Sequence, residues 1–120
     1  MRRLVVIVAV PALLLLCGAT ALAHAHLQRA TPAVGGIVAA APKEVVLWFS
    51  EKLEPAFSTI EVRDAKGAAV QAGKATVGGD RTRLRVPLKA LGSGTYKVIW
   101  RVLSVDTHRS QGNFSFTVGR

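Results

Sequence analysis

Apolar and polar residues alternate over short segments of this chain, and that alternation constrains the fold more than any other feature of the sequence. In the longest such segment, residues 95–105, every second side chain is large and apolar: Tyr96, Val98, Trp100 and Val102. A period of two is that of a β-strand with one buried face. Clusters of Gly, Asp and Ser interrupt the alternation at residues 64–67, 78–80 and 91–94, as turns do. About seven such strands within roughly 100 residues predict an all-β domain of two packed sheets.

Shorter alternating segments predict the other strands, at residues 45–49, 57–62, 84–88 and 114–118. Most aromatic side chains occupy alternating positions within these segments, so we expect them to pack in the core and not to stack on a ligand. They are Trp48, Phe49, Phe57, Tyr96, Trp100, Phe114 and Phe116. The segments are not separated by any repeat or linker, which predicts one compact domain.

The first 23 residues have the pattern of a secretory signal peptide. Two arginines precede an aliphatic run, residues 4–16, which is shorter than the about 20 apolar residues of a membrane-spanning helix. Small residues at positions 21 and 23 form a cleavage site before His24, and a second site of the same kind precedes His26. These rules alone do not choose between the two sites; taking the first, we expect a signal peptide, 1–23, and an exported domain, 24–120, that keeps no stable membrane span.

Composition narrows the chemistry of the exported domain. Lys and Arg outnumber Asp and Glu by 16 to 7 in the full sequence and by 14 to 7 in residues 24–120, but they are scattered singly, which indicates a solvated surface and not a nucleic-acid site. Only residues 81–85 concentrate positive charge, and binding of anionic lipid or polysaccharide is an alternative there. Residues 24–120 contain no Cys and no Met. The fold must therefore form without disulfides, and any metal ligands must be nitrogen or oxygen atoms.

The candidate metal ligands centre on three histidines: His24, His26 and His108. Cleavage after Ala23 would give His24 a free amine and an imidazole, which can chelate one ion. Asp106 and His108 form a D-x-H pair, and an extended backbone would place both on one side. Together these groups supply three nitrogens and one carboxylate oxygen, a set that suits copper(II), with zinc as the competing ion. A plain turn or capping role for Asp106 is the alternative.

An ordered series of short motifs runs along residues 24–120. It comprises His24-Ala-His26-Leu27, Thr31-Pro32, Ala41-Pro42-Lys43, Phe49-Ser50-Glu51, Gly94-Thr95-Tyr96, Trp100-Arg101, Ser104-x-Asp106-x-His108 and Gly112-x-Phe114-x-Phe116. In this order the motifs resemble the CopC family of bacterial periplasmic copper-binding proteins. The resemblance implies a seven-stranded Greek-key, Ig-like β-sandwich that binds one copper(II) ion per chain and is not an enzyme.

The resemblance also implies the ligands. In the family an N-terminal histidine and the D-x-H pair bind copper(II), and these positions correspond to His24, Asp106 and His108. Glu51 matches an acidic position near that site, either as a ligand or as a local charge. His26 offers a competing square-planar site with backbone amides, but that site would pull the terminus out of strand pairing, so we expect an auxiliary or surface role. The methionine-rich copper(I) loop of some relatives has no counterpart in residues 24–120.

These observations give the hypothesis of a periplasmic copper(II)-binding protein for copper resistance or homeostasis. Its partners would be the copper ion and an inner-membrane copper transporter or a cuproenzyme. One alternative is a small copper-dependent oxidase or oxygenase of the histidine-brace type, although a chain of this length offers little room for a flat substrate surface. The other is a metal-free adhesion-type sandwich in which the histidines are incidental.

Overall fold

The computed structural model describes residues 25–119. The predicted signal segment, 1–23, and the predicted ligand His24 lie outside the described residues. Eight strands form within that range: β1 Leu27–Thr31, β2 Ile37–Val38, β3 Glu44–Phe49, β4 Thr59–Arg63, β5 Thr76–Gly78, β6 Arg83–Pro87, β7 Gly94–Leu103 and β8 Arg109–Val118. A 3-10 helix, Pro55–Phe57, precedes β4. Between residues 25 and 119 no helix has the length and hydropathy that crossing a bilayer requires.

The strands form two four-stranded sheets, with the orders β1-β3-β6-β5 and β2-β8-β7-β4. Among the strands of residues 25–119, only β2 pairs in parallel, with the end of β8. When β2 is left aside, a four-stranded sheet packs on a three-stranded sheet, and the strand orders are those of an Ig constant-type sandwich. The predicted all-β sandwich is therefore confirmed, although the strand count is eight and not seven. The sequence could not show β2, because two residues are too few for a period of two to be visible.

The core lies between the two sheets, and the alternation predicted for β7 supplies much of it. Tyr96, Val98, Trp100 and Val102 are each at most 8% exposed. Phe49 meets the Trp100 ring edge-on, with the centroids 5.1 Å apart. Burying a large apolar side chain contributes about 1.5–3 kcal/mol, so this face of β7 anchors the strand that leads to the candidate site.

Two aromatic side chains predicted for the core lie outside it. Phe57 is 58% exposed, because Pro55 begins a 3-10 helix and β4 begins only at Thr59. Proline has no N–H to pair in a strand, so the alternation there does not reflect strand pairing. Trp48 is half-buried on the outer face of β3, and the guanidinium carbon of Arg29 lies 4.3 Å from its ring centroid. That contact has the geometry of a cation–π interaction.

Candidate metal centre

The turn between β7 and β8, residues 104–108, carries both members of the D-x-H pair. β7 ends at Leu103, so Asp106 and His108 lie in a turn and not on the extended backbone that the sequence predicts. The amide of Thr107 donates a 2.8 Å hydrogen bond to the carbonyl oxygen of Ser104, and Thr107 has a φ of 73°. The turn, and not a shared strand face, brings the two side chains together.

Asp106 and His108 are paired directly. Asp106 Oδ1 lies 3.2 Å from His108 Nδ1, and each side chain is 40% exposed. The His108 amide lies 3.4 Å from the same carboxylate oxygen, so Asp106 also has the turn role considered as the alternative. Within the described part of the chain these contacts all engage Oδ1. The second carboxylate oxygen takes part in none of these three contacts.

The buried side chain of Ser104 is hydrogen-bonded to both members of the D-x-H pair. Its hydroxyl donates to Asp106 Oδ1 and accepts from the His108 amide at 3.3 Å. The hydrogen bond from Ser104 and, to a lesser extent, contacts with His108 hold the pKa of Asp106 below its ordinary value. The carboxylate is therefore ionised at neutral pH, as a metal ligand must be.

The N-terminal segment reaches the same end of the sandwich. The Ser110 hydroxyl donates a 2.8 Å hydrogen bond to the carbonyl oxygen of Ala25, which is 1% exposed. Ser110 follows His108 by two residues, and Ala25 is the residue to which His24 is joined. His26 is exposed. Its backbone amide donates to the Ser50 hydroxyl, and its carbonyl oxygen accepts from the Ser50 amide, both at 2.9 Å.

Glu51 lies partly exposed in the loop that follows β3, and this loop contacts the β7–β8 turn. The Val105 amide donates to the carbonyl oxygen of Lys52 at 2.9 Å, and Leu53 pairs with Ser104 in an isolated bridge. Glu51 is thus held in a segment next to the D-x-H turn.

Arg81 holds that loop from the other side. Its carbonyl oxygen accepts a 2.8 Å hydrogen bond from the Leu53 amide, and its guanidinium lies 3.2 Å from the Leu53 carbonyl oxygen. An ion pair of 3.3 Å with Glu54 adds to this contact. The φ of Arg81 is 77°, in the left-handed region that few non-glycine residues adopt. Arg81 therefore fixes the loop that carries Glu51.

The structure brings Asp106 and His108 together but does not add His26 or Glu51 to their cluster. In residues 25–119 no group of three or more His, Cys, Asp or Glu side chains is close enough to hold a metal ion. Sequence reasoning assigned no role to Ser104 or Ser110. The S-x-D-x-H motif includes Ser104, whereas Ser110 has no local signal because its partner, Ala25, is 85 residues away.

The fold and this geometry define a class of small Ig-type sandwiches that carry a paired carboxylate and imidazole at one end, beside the N-terminal segment. A family model described as the CopC domain matches residues 27–119, and the chain belongs to the CopC family. Protein YobA of Escherichia coli strain K12 is 40% identical over 98 residues, which cover 80% of this chain and 79% of that protein.

Two crystal structures share the fold. CopC from Methylosinus trichosporium OB3b superposes with a TM-score of 0.74 at 38% identity, over 79% of this chain and 93% of that chain. PcoC, a methionine rich copper resistance protein from Escherichia coli, superposes with a TM-score of 0.72 at 35% identity, over 81% of this chain and all of that chain. The family resemblance read from the motifs is therefore confirmed.

Proposed function

We propose that this protein binds one copper(II) ion in the periplasm, through the amine and imidazole of His24, the carboxylate of Asp106 and the imidazole of His108. Its role is copper resistance or homeostasis. Membership of the CopC family and the copper resistance relatives support copper as the cargo. The observation that carries the ligand set is the hydrogen bond between Ser110 and Ala25, which holds the N-terminal segment beside the D-x-H turn.

The chemistry of the donor set fits copper(II). Three nitrogens and one carboxylate oxygen suit a tetragonal Cu(II) site, and this ion binds such ligands more tightly than the other divalent first-row metals do. Asp106 is ionised at neutral pH and its side chain is 40% exposed, so an ion can reach it from solvent. The protein thus holds its cargo at a surface from which a partner, an inner-membrane transporter or a cuproenzyme, can exchange it.

The position of the N-terminus provides the first test. We expect protein that begins at His24 to bind one copper(II) per chain in a calorimetric titration, with nitrogen hyperfine structure in its electron paramagnetic resonance spectrum. A form with one extra glycine before His24 moves the amine away from the imidazole and should bind much more weakly. Equal affinity of the two forms would refute the amine ligand. Exported protein analysed by mass spectrometry would give the natural N-terminus and the stoichiometry.

Substitution of the side chains provides the second test. His108→Ala and Asp106→Asn should each weaken copper(II) binding while the protein stays folded, because both side chains lie in a turn outside the core. His26→Ala should have a smaller effect, and Glu51→Gln tests the auxiliary position. If His26→Ala proved the most damaging, the square-planar amide site would be the true one.

A further inference from the structure

Phe57 is the only aromatic residue among the large apolar side chains that residues 25–119 expose, at 58%. Its exposure does not come from a loose loop. The buried hydroxyl of Ser58 donates to the Glu54 carbonyl oxygen at 2.9 Å and accepts from the Leu103 amide at 3.3 Å. The Phe57 amide donates to the Glu54 carbonyl oxygen at 3.1 Å. The backbone therefore holds an aromatic ring in solvent at a defined place.

That place is the end of the sandwich that carries the candidate metal centre. A depression of about 190 Å³ lies beside the ring and is lined by Phe57, Arg101, Val102, Arg109, Ser110 and Gln111. Arg109 follows His108 directly, and Ser110 is the residue that binds Ala25. Val105, in the β7–β8 turn, adds a second exposed apolar side chain, at 41%.

The rim of the depression is positively charged. Arg109 is exposed and has no carboxylate within 4.0 Å among the residues the structure describes. Arg101 lies 4.0 Å from Glu61, and its side chain is 60% exposed. An aromatic anchor bordered by arginines is the composition typical of binding hot spots. A complementary surface would present an apolar pocket bordered by carboxylates.

We propose that Phe57 and Arg109 form the docking surface for an acidic protein that exchanges copper with the candidate metal centre. This inference rests on the proposed function. A second copy of the chain is a poor occupant, since a two-fold contact would bring the Arg101 and Arg109 pairs of both copies together. Apolar contact with Phe57 holds the partner, and the arginines steer its approach to the half-exposed ligands.

Copper transfer to synthetic acceptors tests the charged part of this surface. The acceptors are copper-chelating peptides with tails of leucine and glutamate, or of leucine and lysine. The copper-loaded wild-type protein should transfer faster to the glutamate peptide. Arg109→Gln should reduce that rate roughly three- to tenfold. Lys66→Gln, an exposed cation in the turn that follows β4, is the matched control and should keep the preference. Equal slowing by both variants would indicate net charge alone and overturn the proposal.

Phe57→Ser tests the apolar part, with Ile37→Ser as its control. Ile37 is 77% exposed and pairs with Thr117, about 27 Å along β8 from Arg109. Both variants should load copper as the wild type does, and only Phe57→Ser should slow transfer to the glutamate peptide. The proposal would be overturned if Phe57→Ser transferred copper to the glutamate peptide at the wild-type rate. The proposal would also be overturned if the wild type formed a dimer, or bound phosphatidylglycerol vesicles, and Phe57→Ser abolished that association. Failure of the wild type to load copper would instead refute the proposed function.

Discussion

The hydroxyl of Ser110 donates a 2.8 Å hydrogen bond to the carbonyl oxygen of Ala25, across a separation of 85 residues in the sequence. It joins the N-terminal segment to the start of β8, two residues beyond His108. A net contribution of about 1 kcal/mol is typical of such a bond. Its importance is positional, because it holds Ala25, the neighbour in sequence of the proposed ligand His24, beside the start of β8.

Ser110→Ala should therefore weaken copper(II) binding by roughly three- to tenfold, the factor expected from a loss of about 1 kcal/mol. The midpoint of thermal unfolding should change only slightly. Competition with a chelator of known affinity measures the effect. Ser115→Ala, an exposed position on the same strand, is the control and should bind as the wild type does. Equal affinities in the two variants would show that the N-terminal segment needs no such anchor.

Ser104→Ala should raise the pKa of Asp106 towards its ordinary value of about 3.9, because the Ser104 hydroxyl is the main cause of the lowered pKa. A carboxylate whose pKa is lowered by folding stabilises the folded state at pH values above its ordinary pKa. This stabilisation is lost as the pH falls through the lowered pKa. In the metal-free variant, stability should therefore depend less on pH below about 4. Carbon-13 titration of the Asp106 carboxyl and denaturant unfolding against pH measure both effects. An unchanged titration curve would contradict the role of Ser104.

Acidification should release copper(II) with the uptake of more than one proton per ion, since several nitrogen ligands of the proposed site must each be unprotonated. Asp106 contributes little to this uptake above about pH 4, because its lowered pKa keeps the carboxylate ionised there. Asp106→Asn should thus weaken binding at every pH without changing the steepness of release. Potentiometric proton counting during copper titration provides the measurement, and a count of one or fewer would contradict the site.

Reduction should loosen the ion. Copper(I) prefers soft ligands, and residues 24–120 contain no Met and no Cys. The affinity for copper(I) should therefore be far below the affinity for copper(II). Competition of the reduced protein with a copper(I)-specific chelator checks this, and a tightly held copper(I) ion would reveal a second site.

The contact between Trp100 and Gly112 limits what β8 can accommodate. A Cβ atom at Gly112 would lie 2.5 Å from Trp100 Cζ2, and Trp100 is only 8% exposed. Gly112→Ala should destabilise the protein by about 1–3 kcal/mol, as overpacking of a core does. Gly92→Ala, where a Cβ atom would meet nothing within 4 Å, should be close to neutral. Thermal unfolding of the two variants makes the comparison, and equal midpoints would contradict the predicted clash.

Local alternation predicted the fold well where strands are long. The buried face of β7 follows directly from residues 95–105, because a period of two reports on burial whatever the partner strand is. The alternation predicted burial wrongly at two positions. Phe57 is exposed because Pro55 starts a 3-10 helix there, and Trp48 faces outwards because its neighbours Leu47 and Phe49 face the core.

The D-x-H pair is recognisable in the sequence, but the geometry that brings its two side chains together is not. Asp106 and His108 converge through a turn whose φ at Thr107 no pattern in the sequence shows. The anchoring of Ala25 by Ser110, and of the Glu51 loop by Arg81, depends on pairing between distant segments. Such contacts are set by the packing of the two sheets, which local sequence does not encode in readable form.

The two sheets contribute different parts of the candidate centre: the segment before β1 belongs to one sheet and the β7–β8 turn to the other. An ion bound by both parts would act as a reversible crosslink that closes a loop of more than 80 residues. Residues 24–120 contain no cysteine, so no disulfide can supply such a crosslink. A permanent crosslink over such a loop destabilises the unfolded chain by roughly 4.5 kcal/mol, through the conformational entropy that it removes. Loaded and empty protein would then differ in local order at one end of the sandwich, which gives a partner a physical basis for telling them apart.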